Sequence, residues 1–260
     1  MEEKKVCREY SLFEVLSESC RLFKENFWLI IIVTLLFAIS IQILLAFFPY
    51  ATPASGQRIP QFENFNEFRT YILSEGAQTD LEEAMHGIMR SLIGIIGLIC
   101  DMMVKMAIVF LLKSRLDGIS VDLKGMVKKS LSRCLPAIGT SILKTICLIG
   151  LFLLFIIPGI VYAVYWLFAL YAVVLHDKVW KDALDYSKNT VKGKWWKVCG
   201  YTCFFVFLWI IAVVPINLVL GFLPRNLLFN IFSSSVMAVL SAFLTVILSV
   251  FFINLDNAKA

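Results

Sequence analysis

PAIGTSILKTICLIGLFLLFIIPGIVYAVYWLFALYAVVL, residues 136–175, decides the fold: 40 residues carry one charge, Lys144. As one helix this run would extend about 60 Å at 1.5 Å per residue, twice the roughly 30 Å of a bilayer's hydrocarbon core. It must cross twice. Pro158-Gly159 is its strongest turn signal, because proline removes a backbone donor and glycine permits positive φ. The spacing therefore predicts a hairpin of two spans, 136–157 and 159–175.

Working outward, 27–48 holds no charge, 91–112 holds only Asp101 and Lys105, and 196–220 and 226–253 are apolar runs split by Pro224-Arg225. Pro215 either kinks the fifth span or ends it early, with Ile216 to Leu223 as an apolar loop; both readings fit. The predicted fold class is all-α, a polytopic membrane protein with six transmembrane helices in a single integral-membrane domain over 1–260, with an outer loop at 49–90. Composition agrees. The chain is 60% hydrophobic and 17% charged, with mean hydropathy +0.82, against roughly 45–50% and 25% in soluble domains. A soluble enzyme domain and a nucleic-acid partner are excluded. The 26 residues before the first span are too long and too acidic for a signal-peptide n-region, so that span is expected to be retained.

Orientation follows from Lys and Arg. Eighteen lie in 1–26, 113–135, 176–197 and the tail, against four in 49–90 and at Arg225. That asymmetry places both termini in the cytoplasm, in a multi-pass protein of the cell (cytoplasmic) membrane. The seven cysteines form no C-x-x-C pair and none falls in the outer loop, so reduced thiols are expected.

Three cytoplasmic segments, 11–26, 120–134 and 177–192, read as interfacial amphipathic helices. In the first, Leu12, Leu16, Cys20 and Phe23 recur at spacings of three and four opposite Glu14, Glu18, Arg21 and Glu25, and Ser11 with Glu14 marks a capping box. Setting Ser19, Ser130 and Ser187 in register aligns Leu12, Leu123 and Trp180 seven residues earlier. Either the chain repeats one unit of interfacial helix plus hairpin three times, or any amphipathic helix before a span gives this pattern. Trp180, Lys194, Trp195, Trp196 and Lys197 are expected to anchor the interface, with anionic-lipid recognition the functional version of the same charges.

The run Ile157-Pro158-Gly159-Ile160, then Phe168, Val173-Val174, Ala183-Leu184, Ser187 and Val191-Lys192-Gly193-Lys194-Trp195-Trp196, resembles the membrane domain found with some bacterial glycerophosphodiester phosphodiesterases and its uncharacterised six-span relatives. Leu12-Phe13-Glu14, Ser19, Arg21-Leu22-Phe23 and Asn26-Phe27-Trp28 resemble that family's opening helix. The resemblance implies no activity here. In the enzymes the chemistry belongs to a separate soluble barrel, which this chain lacks, and no catalytic residue carries over. His176-Asp177 departs modestly from the family's pattern.

Glu83-x-x-His86 has the spacing of a metal-ligand pair, but a di-metal bundle needs a second such pair, so no metal or other cofactor is expected. Thr79 with Glu82 reads instead as a capping box opening the second helix. No nucleophile elbow, Walker loop or dinucleotide fingerprint occurs. The chain is expected to be a non-enzymatic protein that organises membrane lipid or a partner, either another protein or a second copy of itself. A permease or channel subunit is the alternative, and a lipid-modifying enzyme is a third reading. The alternative rests on Asp101, Lys105 and Lys144 within the spans. Gly87, Ser91, Gly94, Asp101 and Lys105 share one helical face, expected to pack into the bundle with Lys105 leaning toward Asp101, while Lys144 snorkels to the cytoplasm. Ala238, Ser241, Ala242, Thr245 and Ser249 form a strip of small side chains where a neighbouring helix can approach.

A cysteine at Gln57 or Gln78, in a cysteine-free background, should react with a membrane-impermeant maleimide in intact cells, whereas one at Ser120 or Asn189 stays silent. Labelling at Asn189 with silence at Gln57 would invert the topology.

Overall fold

The computed structural model describes residues 10–48, 75–119, 123–222 and 226–258. Residues 49–74 of the expected outer loop, Ser120 and Pro224-Arg225 lie outside them, as does Cys7. The described residues form helices α1 (Leu12–Glu25), α2 (Phe27–Ala46), α3 (Glu75–Leu116), α4 (Leu123–Ser132), α5 (Cys134–Leu154), α6 (Ile156–Tyr165), α7 (Ala169–His176), α8 (Trp180–Val191), α9 (Trp195–Gly221) and α10 (Leu227–Asn257). Among the described residues, six stretches are long and apolar enough to span a membrane, with α6 and α7 together making one. The chain is a multi-pass membrane protein by that measure.

Three boundaries differ from the sequence expectation. Residues 75–90 are helical and not loop, and α3 already runs at Thr79, so the capping box there does not open the helix. No proline interrupts that polar stretch, so nothing in it forces a break. The second hairpin turns at Phe155, whose extended backbone (φ −154°, ψ 130°) separates α5 from α6. Pro158 falls in the first turn of α6, where a missing N–H costs no helical bond. Gly159 serves a close approach: a Cβ there would lie 2.6 Å from the Phe152 ring. The expected span 159–175 is thus two helices jointed at 166–168. Further on, α9 continues through Pro215 to Gly221, so this proline does not end the helix.

Two of the breaks are satisfied by a side chain. Between α1 and α2, the buried Asn26 donates from Nδ2 to the Leu22 carbonyl (3.0 Å). At the α6–α7 joint, Ser187 Oγ accepts the Phe168 N–H (3.1 Å) and donates to the Tyr165 carbonyl (2.7 Å). The Ser11 and Glu14 capping box opens α1.

Within the apolar stretch of each span, the second helix of every hairpin is the more buried. Buried residues make up 39, 39 and 50% of α3, α6–α7 and α10, against 17, 17 and 11% of α2, α5 and α9. The second helices form an inner layer and the first an outer one. The short helices complete a cyclic scheme, each packing on the inner helix of the preceding unit. Thus α4 lies on α3, α8 on α7, and α1, closing the circle, on α10. There Tyr10 N–H donates to Asn254 Oδ1 (2.9 Å) and the Phe23 and Phe243 rings meet at 5.3 Å. Ser19, Ser130 and Ser187 are all buried, and Val15, Met126 and Ala183, four residues earlier in each, are fully buried. Protein, in each case, covers that side of the short helix.

Phe168 fills the joint, packing against Phe252 (5.1 Å) and Phe251 (6.0 Å) of α10. Trp180 packs its ring on Gly139 of α5, where a Cβ would come within 2.8 Å, and its N–H donates to Thr140 Oγ1 (2.9 Å).

Ser187→Ala should destabilise the protein by about 1–3 kcal/mol, because it strands the buried Phe168 N–H. Ser130→Ala removes only a second bond to the Met126 carbonyl in its own helix and should cost about 1 kcal/mol or less. Equal losses in mixed-micelle unfolding would show that Ser187 does not hold the joint.

Candidate functional site

Small side chains leave a crevice of about 270 Å³ between α2, α3 and α10. Thr34, Phe37, Ala38, Ile41 and Gln42 line it from α2; Gly97, Cys100, Asp101, Val104, Lys105 and Ile108 from α3; and Ser234, Ala238, Ser241, Ala242 and Thr245 from α10. The strip on α10 therefore divides. Ala242, Thr245 and Ser249 are buried, whereas Ala238 and Ser241 are only partly so and border open space. Toward the end that carries both termini the crevice meets a packed layer, with Val109, Leu111 and Leu112 of α3 and Val246, Ile247 and Val250 of α10 all buried.

Across the crevice wall, Lys105 Nζ lies 2.6 Å from Asp101 Oδ2, one turn apart on α3. The two side chains stay 38% and 50% exposed, so the pair is reachable from the bundle surface. Cβ atoms lean toward a helix's N-terminus, which brings Lys105 back over Asp101. Thr34 and Thr245 spend their hydroxyl protons on the Ile30 and Ser241 carbonyls. By contrast, the Gln42 amide and the Ser241 hydroxyl make no hydrogen bond to a described residue, leaving donors and acceptors open to the cavity. The arrangement can bind a polar group at mid-span.

The face expected to pack into the bundle does so only in part. Gly87, Ser91 and Gly94 are exposed, and a Cβ on either glycine would meet nothing within 4 Å; contact begins at Gly97, 3.7 Å from Ile41. The other singled-out residues lie elsewhere. Lys144 is on α5, outside the crevice, and forms no ion pair with a described residue. Trp195 donates from its indole to the Val161 carbonyl (3.2 Å) and meets the exposed Trp196 edge-on at 4.7 Å. Lys197 sits 5.6 Å over the Tyr201 ring, while Lys194 immediately precedes α9. These side chains do not share the crevice.

Two groupings escape a reading by segments. Gln42 and Gly97 join the crevice from runs that look uniformly apolar or small. At the end bearing the termini, His176 Nε2 lies 2.7 Å from Asp256 Oδ2, and Tyr186 donates to Asp256 Oδ1 (2.6 Å), tying α7, α8 and α10 together. Burial first, then that hydrogen bond, holds the Tyr186 phenol well above its ordinary pKa. Asp177, in left-handed backbone after α7, meets Arg133 (2.5 Å) and Lys129 (3.9 Å) of the α4 region. Partners 70 or 80 residues apart leave no local signal.

Residues 70–255 match the family described as Domain of unknown function (DUF7847). No curated protein and no solved structure matches the chain.

Asp101→Asn strands Lys105 near mid-span, where a lone charge costs about 2.5–3.5 kcal/mol or more on insertion scales. Folded yield should fall for Asp101→Asn and for Lys105→Gln, and recover largely in the double variant. Thr245→Leu should lower thermal stability in detergent, while Leu240→Ile leaves it nearly unchanged. Normal yields for both single variants would show that the pair contributes nothing to the fold.

Proposed function

We propose that this chain, which belongs to the DUF7847 family of domains of unknown function, is a non-enzymatic protein of the cytoplasmic membrane that organises lipid by holding a polar group in the α2/α3/α10 crevice. One observation carries this reading: a mid-span cavity, reachable from the bundle surface, contains an ion pair with an unspent amide and hydroxyl beside it. Groups of that kind are costly in hydrocarbon and persist where a ligand or cavity water satisfies them. The termini face the cytoplasm, on the 18 to four bias of basic residues. There the short helices, with Trp195, Trp196 and the neighbouring lysines, meet the headgroup layer. The resemblance of 157–160 and 191–196 to the membrane domain of glycerophosphodiester phosphodiesterases supports a lipid setting.

A permease subunit is the second reading, favoured by the same pair at mid-span. The packed layer beyond Ile108 and Thr245 speaks against an open pathway in this conformation. Reconstitution separates the two. A lipid-holding protein should retain lipid through detergent exchange, lose it in Ser241→Leu, and show no solute flux in liposomes. Flux that Lys105→Gln abolishes would favour the permease, and absence of any bound lipid would sink the first reading.

A further inference from the structure

We propose that the crevice selects a zwitterion, with its ammonium on Asp101 and its anionic oxygen on Lys105. This inference rests on the reading of the crevice as a ligand site and adds the chemical class of the ligand. Charge balance is the starting point. Asp101 and Lys105 neutralise each other, so a ligand of net charge would leave an uncompensated charge in a low-dielectric site. A purely apolar ligand would leave the Gln42 amide and Ser241 hydroxyl unsatisfied. What remains is neutral overall and polar within.

The pair has valence to spare. Asp101 meets Lys105 through Oδ2, which leaves Oδ1 to accept from an ammonium. Lys105 carries three donors, and one carboxylate oxygen engages only part of them. A zwitterion laid antiparallel to the pair makes two charge-assisted hydrogen bonds without changing the net charge. Gln42, presenting both an acceptor and donors, can complete either end. Space limits the ligand further. About 270 Å³ lies just under the roughly 300–1,000 Å³ range of small-molecule pockets, enough for an amino-alkyl phosphodiester headgroup or an amino acid and too little for a whole lipid. The same chemistry comes from two sources, the headgroup of a zwitterionic phospholipid or a free zwitterion.

The test uses the full chain in nanodiscs of phosphatidylethanolamine mixed in equal parts with phosphatidylglycerol or with an uncharged glycolipid, reading retained lipid by native mass spectrometry. Phosphatidylethanolamine should be retained about tenfold over either. Free glycerophosphoethanolamine, a phosphodiester and so neutral overall, should displace it if the crevice binds the isolated headgroup, while displacement only by the intact lipid assigns the lipid as source. Asp101→Asn, in whatever fraction folds, should turn the preference toward phosphatidylglycerol, an effect that a merely structural ion pair would not produce. Ser241→Leu fills the crevice without altering charge and should abolish retention. Preference for phosphatidylglycerol or the glycolipid in the unaltered protein would overturn the zwitterion and leave a ligand site standing. Retention of nothing, with no response to glycerophosphoethanolamine, would overturn both.

Discussion

Away from water, a backbone N–H or carbonyl without a partner costs several kcal/mol, and the architecture follows from how this chain meets that demand. An uninterrupted helix satisfies itself. Trouble comes at the joints, and three of them show different remedies. Asn26 caps its own helix from the side, and the proline of the second hairpin sits where no donor is needed. Ser187 reaches from α8 to bridge the two ends of a broken inner helix. That last joint depends on a residue from another unit, so the inner helix of one hairpin is complete only when the next unit is docked.

The same logic explains why the short helices turn inward. A serine on each is buried together with the residue one turn before it, and each rests on the inner helix of the unit ahead. Protein-facing polar side chains of this size let helices approach closely where hydrocarbon supplies no drive for association. Near the opposite end, the small residues of α10 and α3 do something else. There Ala238, Ser241 and Gly97 line a cavity instead of a closed seam.

The number of spans was legible in the sequence, because 40 apolar residues cannot cross a 30 Å core once. Hairpin position was less so. Pro158-Gly159 carries the usual marks of a turn, yet proline is equally at home in a first helical turn, and the chain reverses at Phe155, which has no turn signature of its own. Jointing at 166–168 was invisible, since its stabilising hydroxyl is 19 residues away. For the crevice, local periodicity brought Asp101 toward Lys105, and the α10 strip stood out by itself. Their juxtaposition with Gln42 depends on the order of helices around the bundle, which periodicity does not encode.

The cyclic packing also sets an order of assembly. Helix α1 leaves the ribosome well before α10, which is its docking surface, with Tyr10 bonded to Asn254 and Phe23 set against Phe243. Until α10 is inserted, α1 lacks the helix it packs on most. A helix made before α10 therefore settles only after it, and its docking closes the ring that the intervening helices leave open.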